Sequence, residues 1–407
     1  MPNTFGNTSA AGAAFGILKN WYAGPIVSQF NDEIPFYREI EKGKEKFNGS
    51  QVVRPIKVLR NPGIGATSDG GPLPAIGTQT TVQAQIQAKF NYLRFGITGP
   101  MIKASQGDKG AFISDMEFEM SEGLTDLKQD VNRQLMYNGT GTLGLVSTAV
   151  TGSNSLTVIG RTSGENGNKY FQQNMVVDIV NAVTGVVSNS GILITATSGT
   201  TTCTLTLATP VTCNANDLVI RTGTNGNEVQ GIQYTLDGGT STIYNINRTT
   251  YPVYQGNVLS NSGNALSLNF IKQGWNQGKQ RGNAKFDCHF VDYDTERYYE
   301  KLLIADKRYI GKVKGDGTFS EKNESYLEYG GIPIVADKDM TDPNWFMGDT
   351  KQWKKYLLAE LEWADETGTY LIAQSGADSF EARLRLFFNL FCEKPSAQVF
   401  LGTYVSP

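Results

Sequence analysis

The sequence is poor in histidine, in charge and in long apolar runs. Its 407 residues include one histidine, His289, which excludes the metal sites and mechanisms that need two or more histidine side chains. Lysine and arginine total 36 against 39 aspartates and glutamates, so the net charge is −3 and no general basic field exists to neutralise nucleic-acid phosphates. Charged residues make up 18% of the chain, below the roughly 25% that is usual in soluble domains. These shortages argue against an enzyme.

Apolar runs and cysteines are too few for a membrane span or a disulfide framework. No run approaches the ~18–20 residues that cross a bilayer, and the small-residue stretch 10–18 lacks the basic leader of a secretory signal. We therefore expect a soluble protein made in the cytoplasm. The four cysteines, Cys203, Cys213, Cys288 and Cys392, are predicted to be buried or half-buried thiols, although the first two could face each other across a hairpin.

Glycine, by contrast, is abundant and concentrated where the chain must turn. There are 45 glycines, about 11% of the chain against a usual ~7%. Residues 1–50 combine small residues with scattered aromatic residues, which predicts an arm that packs against other parts of the chain or a neighbour. Residues 51–98 predict a long β-hairpin, in which alternating strands over 51–60 and 80–93 flank a tip rich in glycine and proline. Such a hairpin is marginally stable alone, so it either folds back on its own domain or reaches another subunit.

A long amphipathic helix is the clearest element of the sequence. Apolar residues recur every three or four positions over 116–135, and Asn138-Gly139 provides a C-terminal stop. The helix is therefore predicted over 113–138. Its N-terminal half is acidic, which matches the helix dipole, through Asp115, Glu117, Glu119 and Glu122.

The remainder of the chain divides into a β-rich segment and a mixed segment. Residues 151–224 are rich in threonine, serine, asparagine and valine, and their short strands predict a small all-β barrel or sandwich inserted into a host domain. From residue 225 helices and strands alternate, with helical patterns over 265–277 and 294–308. The segment 351–362 is compatible with either a helix or a strand.

Three local motifs suggest chemistry but lack the context that the chemistry needs. Residues 139–144 match the dinucleotide-binding glycine fingerprint, but a helix precedes them where that site requires a strand. Asp337, Asp339 and Asp342 hint at a calcium loop but miss the glycine and the last carboxylate of an EF-hand. The carboxylates of the long helix do not face each other across a substrate, as glycosidase chemistry requires. We therefore predict no catalytic residue, no cofactor and no metal site, and a structural role for His289.

The order of these elements resembles the major capsid protein of tailed bacteriophages, which has the Hong Kong 97 type shell fold. The stretch 118–144 is similar to the end of that family's spine helix and the turn that follows it. Residues 294–309, followed by Gly-Gly-Ile-Pro-Ile and Asp337, resemble a helix and a strand of its axial domain. Residues 363–368 and 387–397 look like its closing segment. The resemblance covers most of the chain, and the β-rich segment departs from the family's minimal pattern.

The resemblance implies an α+β fold with an N-terminal arm, an extended hairpin (the E-loop), a peripheral domain that contains the spine helix, an axial domain and an inserted small all-β domain. The implied boundaries are 1–50 for the arm, 51–98 for the hairpin, 99–150 with 376–407 for the peripheral domain, 151–224 for the insert and 225–375 for what is mainly the axial domain.

The resemblance also implies a function. The chain would be a structural subunit, not an enzyme, that self-assembles into hexamers and pentamers of an icosahedral or prolate virus shell in a bacterial cytoplasm. The shell would enclose double-stranded DNA non-specifically, with scaffolding, portal and decoration proteins as partners and without a membrane. Lys57 and Lys89 flank the hairpin, but no motif identifies the asparagine of the family's covalent crosslink, so no crosslink is expected. The alternatives are an encapsulin-like nanocompartment shell and a secreted carbohydrate-binding or adhesin β-protein.

Charge complementarity suggests which residues join neighbouring subunits. We predict that basic residues of the hairpin contact the acidic first turns of a neighbour's long helix. The candidates are Arg54, Lys57, Arg60 and Arg94 on the hairpin and Asp115, Glu117, Glu119 and Glu122 on the helix. Reversal of Arg54 and Arg60 to glutamate would then weaken assembly without unfolding the subunit.

Overall fold

The fold is taken from a computed structural model, which describes residues 34–100, 109–162, 164–237, 241–303, 327–364, 372–373 and 376–407. The side chains of Ile97 and of residues 109–119 lie outside this description. Most of the predicted arm, the end of the helix predicted over 294–308, and residues 365–371 of the predicted closing segment also lie outside it.

Strands dominate the described part of the chain. The helices are α1 (Pro35–Glu39), α2 (Lys109–Met136), α3 (Ile232–Leu236), α4 (Leu268–Gly282) and α5 (Tyr293–Leu303). The strands are β1 (Glu41–Lys42), β2 (Gln51–Leu59), β3 (Thr80–Gln87), β4 (Lys89–Thr98), β5 (Thr142–Val146), β6 (Val150–Ile159), β7 (Val176–Val180), β8 (Val187–Ser198), β9 (Cys203–Cys213), β10 (Leu218–Arg221), β11 (Thr242–Ile243), β12 (Ile246–Asn247), β13 (Asn257–Ser260), β14 (Cys288–Val291), β15 (Glu328–Tyr329), β16 (Ile332–Ala336), β17 (Asn344–Gly348), β18 (Trp353–Trp363), β19 (Ile372–Ala373), β20 (Ser379–Cys392) and β21 (Val399–Gly402). No helix in these ranges has the length and apolarity to cross a membrane.

A five-stranded sheet joins distant parts of the chain. Its long central strand β20 pairs antiparallel with β18 on one side and with β4 on the other, and β1 and β19 complete the sheet. One face of β20 and one face of α2 are apolar, since alternate residues of the strand and every third or fourth residue of the helix are apolar. These two faces pack against each other in one core. The segment 351–362, which was compatible with a helix or a strand, is largely strand β18, and it is held in this conformation by pairing with β20.

The hairpin is shorter than the sequence predicts. β2 and β3 pair antiparallel from Gln51 opposite Gln87 to Leu59 opposite Thr80, and residues 60–79 form the tip. The backbone N–H of Ala88 donates to Ser50 O at 2.9 Å, which closes the hairpin at its root. The chain then continues as β4 in the five-stranded sheet, so the prediction of one strand over 80–93 is wrong. Apolar alternation continues through Ala88, and the sequence therefore gives no sign of this change of partner.

The β-rich segment is a closed barrel with the strand order β10-β5-β6-β9-β8-β7. It begins one strand earlier than the predicted boundary at residue 151, because β5 pairs with both β6 and β10. Cys203 and Cys213 begin and end the same strand, so they do not face each other across a hairpin. All four cysteines are buried free thiols, as predicted.

A six-stranded sheet with the order β13-β21-β17-β14-β16-β15 forms the third body of strands. Side chains of α4 and α5 share its apolar core. The last strand, β21, belongs to this sheet, whereas β18 belongs to the five-stranded sheet. Sheet membership therefore does not follow the predicted division between residues 375 and 376. Both strands are apolar, and only their long-range pairing decides which sheet receives them.

Candidate assembly surfaces

The tip of the β2–β3 hairpin exposes an unusual amount of apolar surface. Ile64, Leu73 and Ile76 are 83%, 85% and 101% exposed, respectively. Full burial of one such side chain stabilises a contact by about 1.5–3 kcal/mol. Exposed apolar surface that is clustered in this way marks a site of association.

The root of the hairpin is fixed to its own subunit through Arg54. This side chain forms ion pairs with Glu45 at 3.1 Å and Glu393 at 2.7 Å, and it donates a hydrogen bond to Tyr356 Oη at 3.0 Å. Burial by itself would lower the pKa of Arg54, but the bond to Tyr356 and the two carboxylates raise that pKa overall. Arg54 therefore holds the hairpin at a defined angle to the five-stranded sheet.

The other predicted contact residues differ in their surroundings. Lys57 and Arg60 are exposed on the hairpin, Glu122 is exposed on α2, and none of the three forms an ion pair with another described residue. Arg94 lies on β4 rather than on the hairpin, and it pairs with Glu381 of the neighbouring strand. Asp115, Glu117 and Glu119 lie on the backbone of α2, but their side chains fall outside the described residues. Contact between these basic and acidic groups across subunits stays a prediction.

A buried arginine joins the barrel to the rest of the chain. The Arg161 guanidinium lies between the rings of Tyr137 and Tyr170, at 4.8 Å from each centroid. It pairs with Glu165 at 2.7 Å and donates to the backbone oxygen of Asp339 at 2.8 Å. Tyr137 follows α2 and Asp339 follows β16, so three parts of the fold meet at this side chain. The barrel is thus mounted on the body of the chain and does not hang from a linker.

The carboxylates that suggested a calcium loop belong to this junction. The Asn132 side chain amide donates to Asp337 at 3.0 Å and to Asp339 at 2.8 Å, and Tyr170 Oη donates to Asp339 at 3.0 Å. Burial raises the pKa of Asp337, and the nearby Asp339 raises it further. Both carboxylates are therefore used as hydrogen-bond acceptors between α2, the barrel and the loop after β16. Among the described residues, no group of histidine, cysteine and carboxylate side chains could hold a metal ion.

The glycine fingerprint at 139–144 also has a structural role. Gly139 and Gly141 have φ angles of +77° and +85°, in the left-handed region that favours glycine. These two residues turn the chain from the end of α2 into β5. The fingerprint therefore follows a helix and leads into a strand, the reverse of the strand-to-helix order that phosphate binding requires.

His289 lies in the core of the six-stranded sheet. Trp345 Nε1 donates to its Nδ1 at 3.2 Å, and its Nε2 lies 3.2 Å from the backbone oxygen of Tyr329. Burial lowers the pKa of His289 to about 4, so the ring is neutral at physiological pH. The side chain is fully buried, which agrees with the predicted structural role.

One cavity of about 370 Å³ lies between β4, α2 and the barrel. Its wall includes Asp130, Arg133, Lys169 and Arg221. These charges are paired, since Arg133 and Arg221 contact Asp130 at 3.1 and 3.4 Å, and Lys169 contacts Glu165 at 2.6 Å. The cavity therefore offers no concentration of one charge sign that would select a ligand.

Comparison with known proteins identifies the fold. No protein-family model matches the chain, and no curated protein sequence matches it. In contrast, the capsid asymmetric unit of cyanophage A-1(L) matches with a TM-score of 0.54 and 11% identity, over 90% of each chain. The capsid of a native GTA particle matches with a TM-score of 0.50 and 9% identity, over 91% of each chain. An encapsulin complex from Synechococcus elongatus has a TM-score of 0.43 and 7% identity, over 90% of this chain and 86% of that chain.

The chain therefore has the Hong Kong 97 type capsid fold, and the fold predicted from the resemblance is confirmed. It is mixed α+β, with few helices and many strands.

Proposed function

We propose that this chain is the structural subunit of a bacteriophage shell and assembles with copies of itself into hexamers and pentamers that enclose double-stranded DNA. The observation that carries the proposal is the β2–β3 hairpin, whose tip at residues 60–79 exposes Ile64, Leu73 and Ile76. The capsid fold supports it, because that fold is the one shared with phage shells.

The hairpin has the properties of an arm for a neighbouring subunit. Its root is fixed by the ion pairs of Arg54 with Glu45 and Glu393, so the tip is presented in a defined direction. Burial of its three apolar side chains against a neighbour would contribute about 5 kcal/mol or more per contact before the costs of association. Such a contact recurs at every subunit of a shell, and weak single contacts then give a stable assembly.

Charged contacts would add specificity to this apolar one. Lys57 and Arg60 remain the candidates on the hairpin, and Glu122 with its acidic neighbours on α2 remains the candidate surface of the next subunit. Arg54 and Arg94 already have partners within their own subunit, so we give them a positioning role. Exposed ion pairs contribute up to about 1 kcal/mol each, which suits register more than affinity.

The rest of the proposal follows from the same fold. The five-stranded sheet with α2 would be the peripheral domain, the six-stranded sheet the axial domain around which capsomers form, and the barrel the insert. Packaged DNA would be held by enclosure, which agrees with a net charge of −3. The subunit would act without enzymatic activity, assemble in the bacterial cytoplasm with scaffolding, portal and decoration proteins, and reside in the virion.

Assembly of the purified chain tests this proposal. We expect gel filtration and negative-stain microscopy to show capsomer rings or shells, and a stable monomer at all concentrations would contradict it. The variant Ile64→Ser/Leu73→Ser/Ile76→Ser is expected to yield folded subunits that fail to assemble. Leu268→Ser is the matched control, because Leu268 is an exposed leucine at the start of α4, a helix that packs with the six-stranded sheet. Shells that hold protein cargo rather than DNA in producing cells would indicate the encapsulin-like alternative.

A further inference from the structure

The barrel concentrates its exposed apolar side chains on one hairpin. All of its large exposed apolar residues lie between β7 and the middle of β8; they are Val176, Val183, Val186, Val187 and Leu193. Val176 and Leu193 lie opposite each other in the register of the two strands. At the turn that joins the strands, Val183 is 94% exposed and Val186 is 64% exposed. The hairpin therefore exposes apolar side chains in two places, at the Val176–Leu193 pair and at its turn.

This turn is preorganised by hydrogen bonds. The side-chain oxygen of Asn181 accepts from Val183 N at 3.0 Å and from Thr184 N at 2.9 Å, and Gly185 N donates to the backbone oxygen of Asn181 at 2.9 Å. Asn225 adds a bond from its side chain to the backbone oxygen of Gly185 at 3.1 Å. A turn whose backbone is already ordered loses less entropy when it binds.

The stretch of chain that forms this turn carries no charge, and Asp217, whose Oδ1 accepts from Ala182 N at 3.1 Å, is buried beneath it. Residues 179–216 contain no aspartate, glutamate, lysine, arginine or histidine. The barrel places its charged side chains elsewhere: Arg161, Glu165 and Lys169 form the junction, Arg221 contacts α2, and Asp178 and Asp217 are buried. A surface without cations is unsuited to nucleic acid.

Absence of charge favours self-contact. When identical copies meet, each charged group faces copies of the same surface, and like charges that come close cost several kcal/mol. An uncharged apolar turn avoids this repulsion. The turn also lies beside the connection from the barrel to the body of the chain, because Asn225 touches it and Lys89, at the hairpin root, donates to Gly226 O at 2.6 Å.

We propose that the β7–β8 turn, residues 181–187, docks on a second copy of this chain, so that the inserted barrels join neighbouring subunits. The inference rests on the proposed function, since it needs an assembly in which copies stand side by side. It assigns the insert a role in assembly in addition to the contact that the β2–β3 hairpin makes.

A single introduced cysteine tests the contact directly. Val183→Cys is labelled with a maleimide that carries a photoreactive benzophenone, and assembled particles are irradiated and denatured. The native thiols should not react, because all four are buried and burial raises their pKa. Thr200→Cys is the matched control, since Thr200 is exposed in the turn at the opposite end of β8. We expect a two-chain adduct from the label at 183 and none from the label at 200.

Charge substitution gives a second measurement. Val183→Asp should lower the urea concentration at which particles dissociate, whereas Thr200→Asp should leave it unchanged, with equal tryptophan fluorescence of the two subunits. Particles that form normally but give no two-chain adduct and no difference between the two variants would overturn this inference alone. A wild-type chain that stays monomeric would overturn the proposed function and this inference together.

Discussion

The core histidine predicts how the subunit responds to acid. His289 is the only histidine of the chain, and it is fully buried in β14. Trp345 Nε1 can only donate, so Nδ1 of His289 accepts and its proton resides on Nε2, facing the backbone oxygen of Tyr329. Protonation of Nδ1 would remove the acceptor of the Trp345 bond and place a charge in an apolar core.

The magnitude follows from the pKa of this group. Burial lowers the pKa of His289 from 6.5 to about 4. The unfolded chain therefore binds a proton below pH 6.5, whereas the folded chain binds it only below about pH 4. This contribution to stability is complete above pH 6.5 and is lost as the pH falls toward 4. Between pH 7 and pH 4.5 it amounts to about 2.5 kcal/mol of unfolding free energy.

The assay compares slopes, because carboxyl groups titrate in the same range. Urea unfolding is followed by tryptophan fluorescence between pH 7 and pH 4.5 for the wild type and for His289→Asn, whose side-chain oxygen can replace Nδ1 as acceptor. We expect the variant to lose about 2.5 kcal/mol less than the wild type over this interval. Ile334→Val is the control: it pairs with His289 in the sheet and should lower stability by about 1 kcal/mol without changing the slope.

Two results would refute this reasoning. One is an equal loss of stability with acid in the wild type and in His289→Asn. The other is a histidine proton signal, unambiguous in a chain with one histidine, that titrates near pH 6.5 in the folded subunit.

Four other variants test the barrel junction, the hairpin and the buried carboxyl group of Asp342. Arg161→Met should lower the free energy of unfolding by about 3 kcal/mol in urea titration, because it removes the buried guanidinium and leaves the Glu165 carboxylate with Lys169 and the backbone N–H of residue 161 as partners. An unchanged midpoint would contradict the role of this junction. Arg54→Glu should destabilise the isolated subunit, since it brings a third carboxylate beside the two that Arg54 pairs with, whereas Lys57→Glu should leave unfolding unchanged and weaken only assembly. Burial and two neighbouring aspartates raise the pKa of Asp342 from 3.8 to about 8, so its contribution to stability is complete below about pH 4 and is lost as the pH rises to 8. The unfolding free energy of Asp342→Asn relative to the wild type should therefore increase steadily from pH 4 to pH 8, and parallel pH profiles of the two proteins would exclude the effect.

Local patterns predicted the elements that are defined by local interactions. The apolar period over 116–135 identified α2, which runs from Lys109 to Met136, because a helix bonds to itself and shows its period in the sequence. A small all-β barrel or sandwich was predicted because its short strands are separated by turn residues, and both signals are local in the sequence. Local patterns do not predict which strands pair with each other when the strands are far apart in the sequence. β18 and β21 have similar apolar sequences, yet the first joins β20 and the second joins β13 and β17.

The candidate contact residues also divide into those whose surroundings could be predicted from the local sequence and those whose surroundings depend on distant residues. Exposure of Lys57, Arg60 and Glu122 could be predicted from their charge, because unpaired charged side chains are seldom buried. The role of Arg54 could not, because Tyr356 and Glu393 lie some 300 residues further along the chain and reach it only through the fold. The apolar turn at Val183 was also hidden, because a valine in a β-rich segment is normally a core residue.

The positions of the charged residues in the barrel help to explain the low charge of the chain. Charged groups of this domain pair where it meets the body of the chain or are buried, and residues 179–216 carry no charge. Charged side chains such as Arg161 and Glu165 thus attach the barrel to the body of its own subunit. Neutral apolar surface remains where copies would meet. A shell repeats each contact many times, so one unfavourable like-charge pair per interface would be repeated with it. A charge content of 18% suits the proposed shell, in which apolar contacts between copies would supply most of the contact energy and a few ion pairs would set the register.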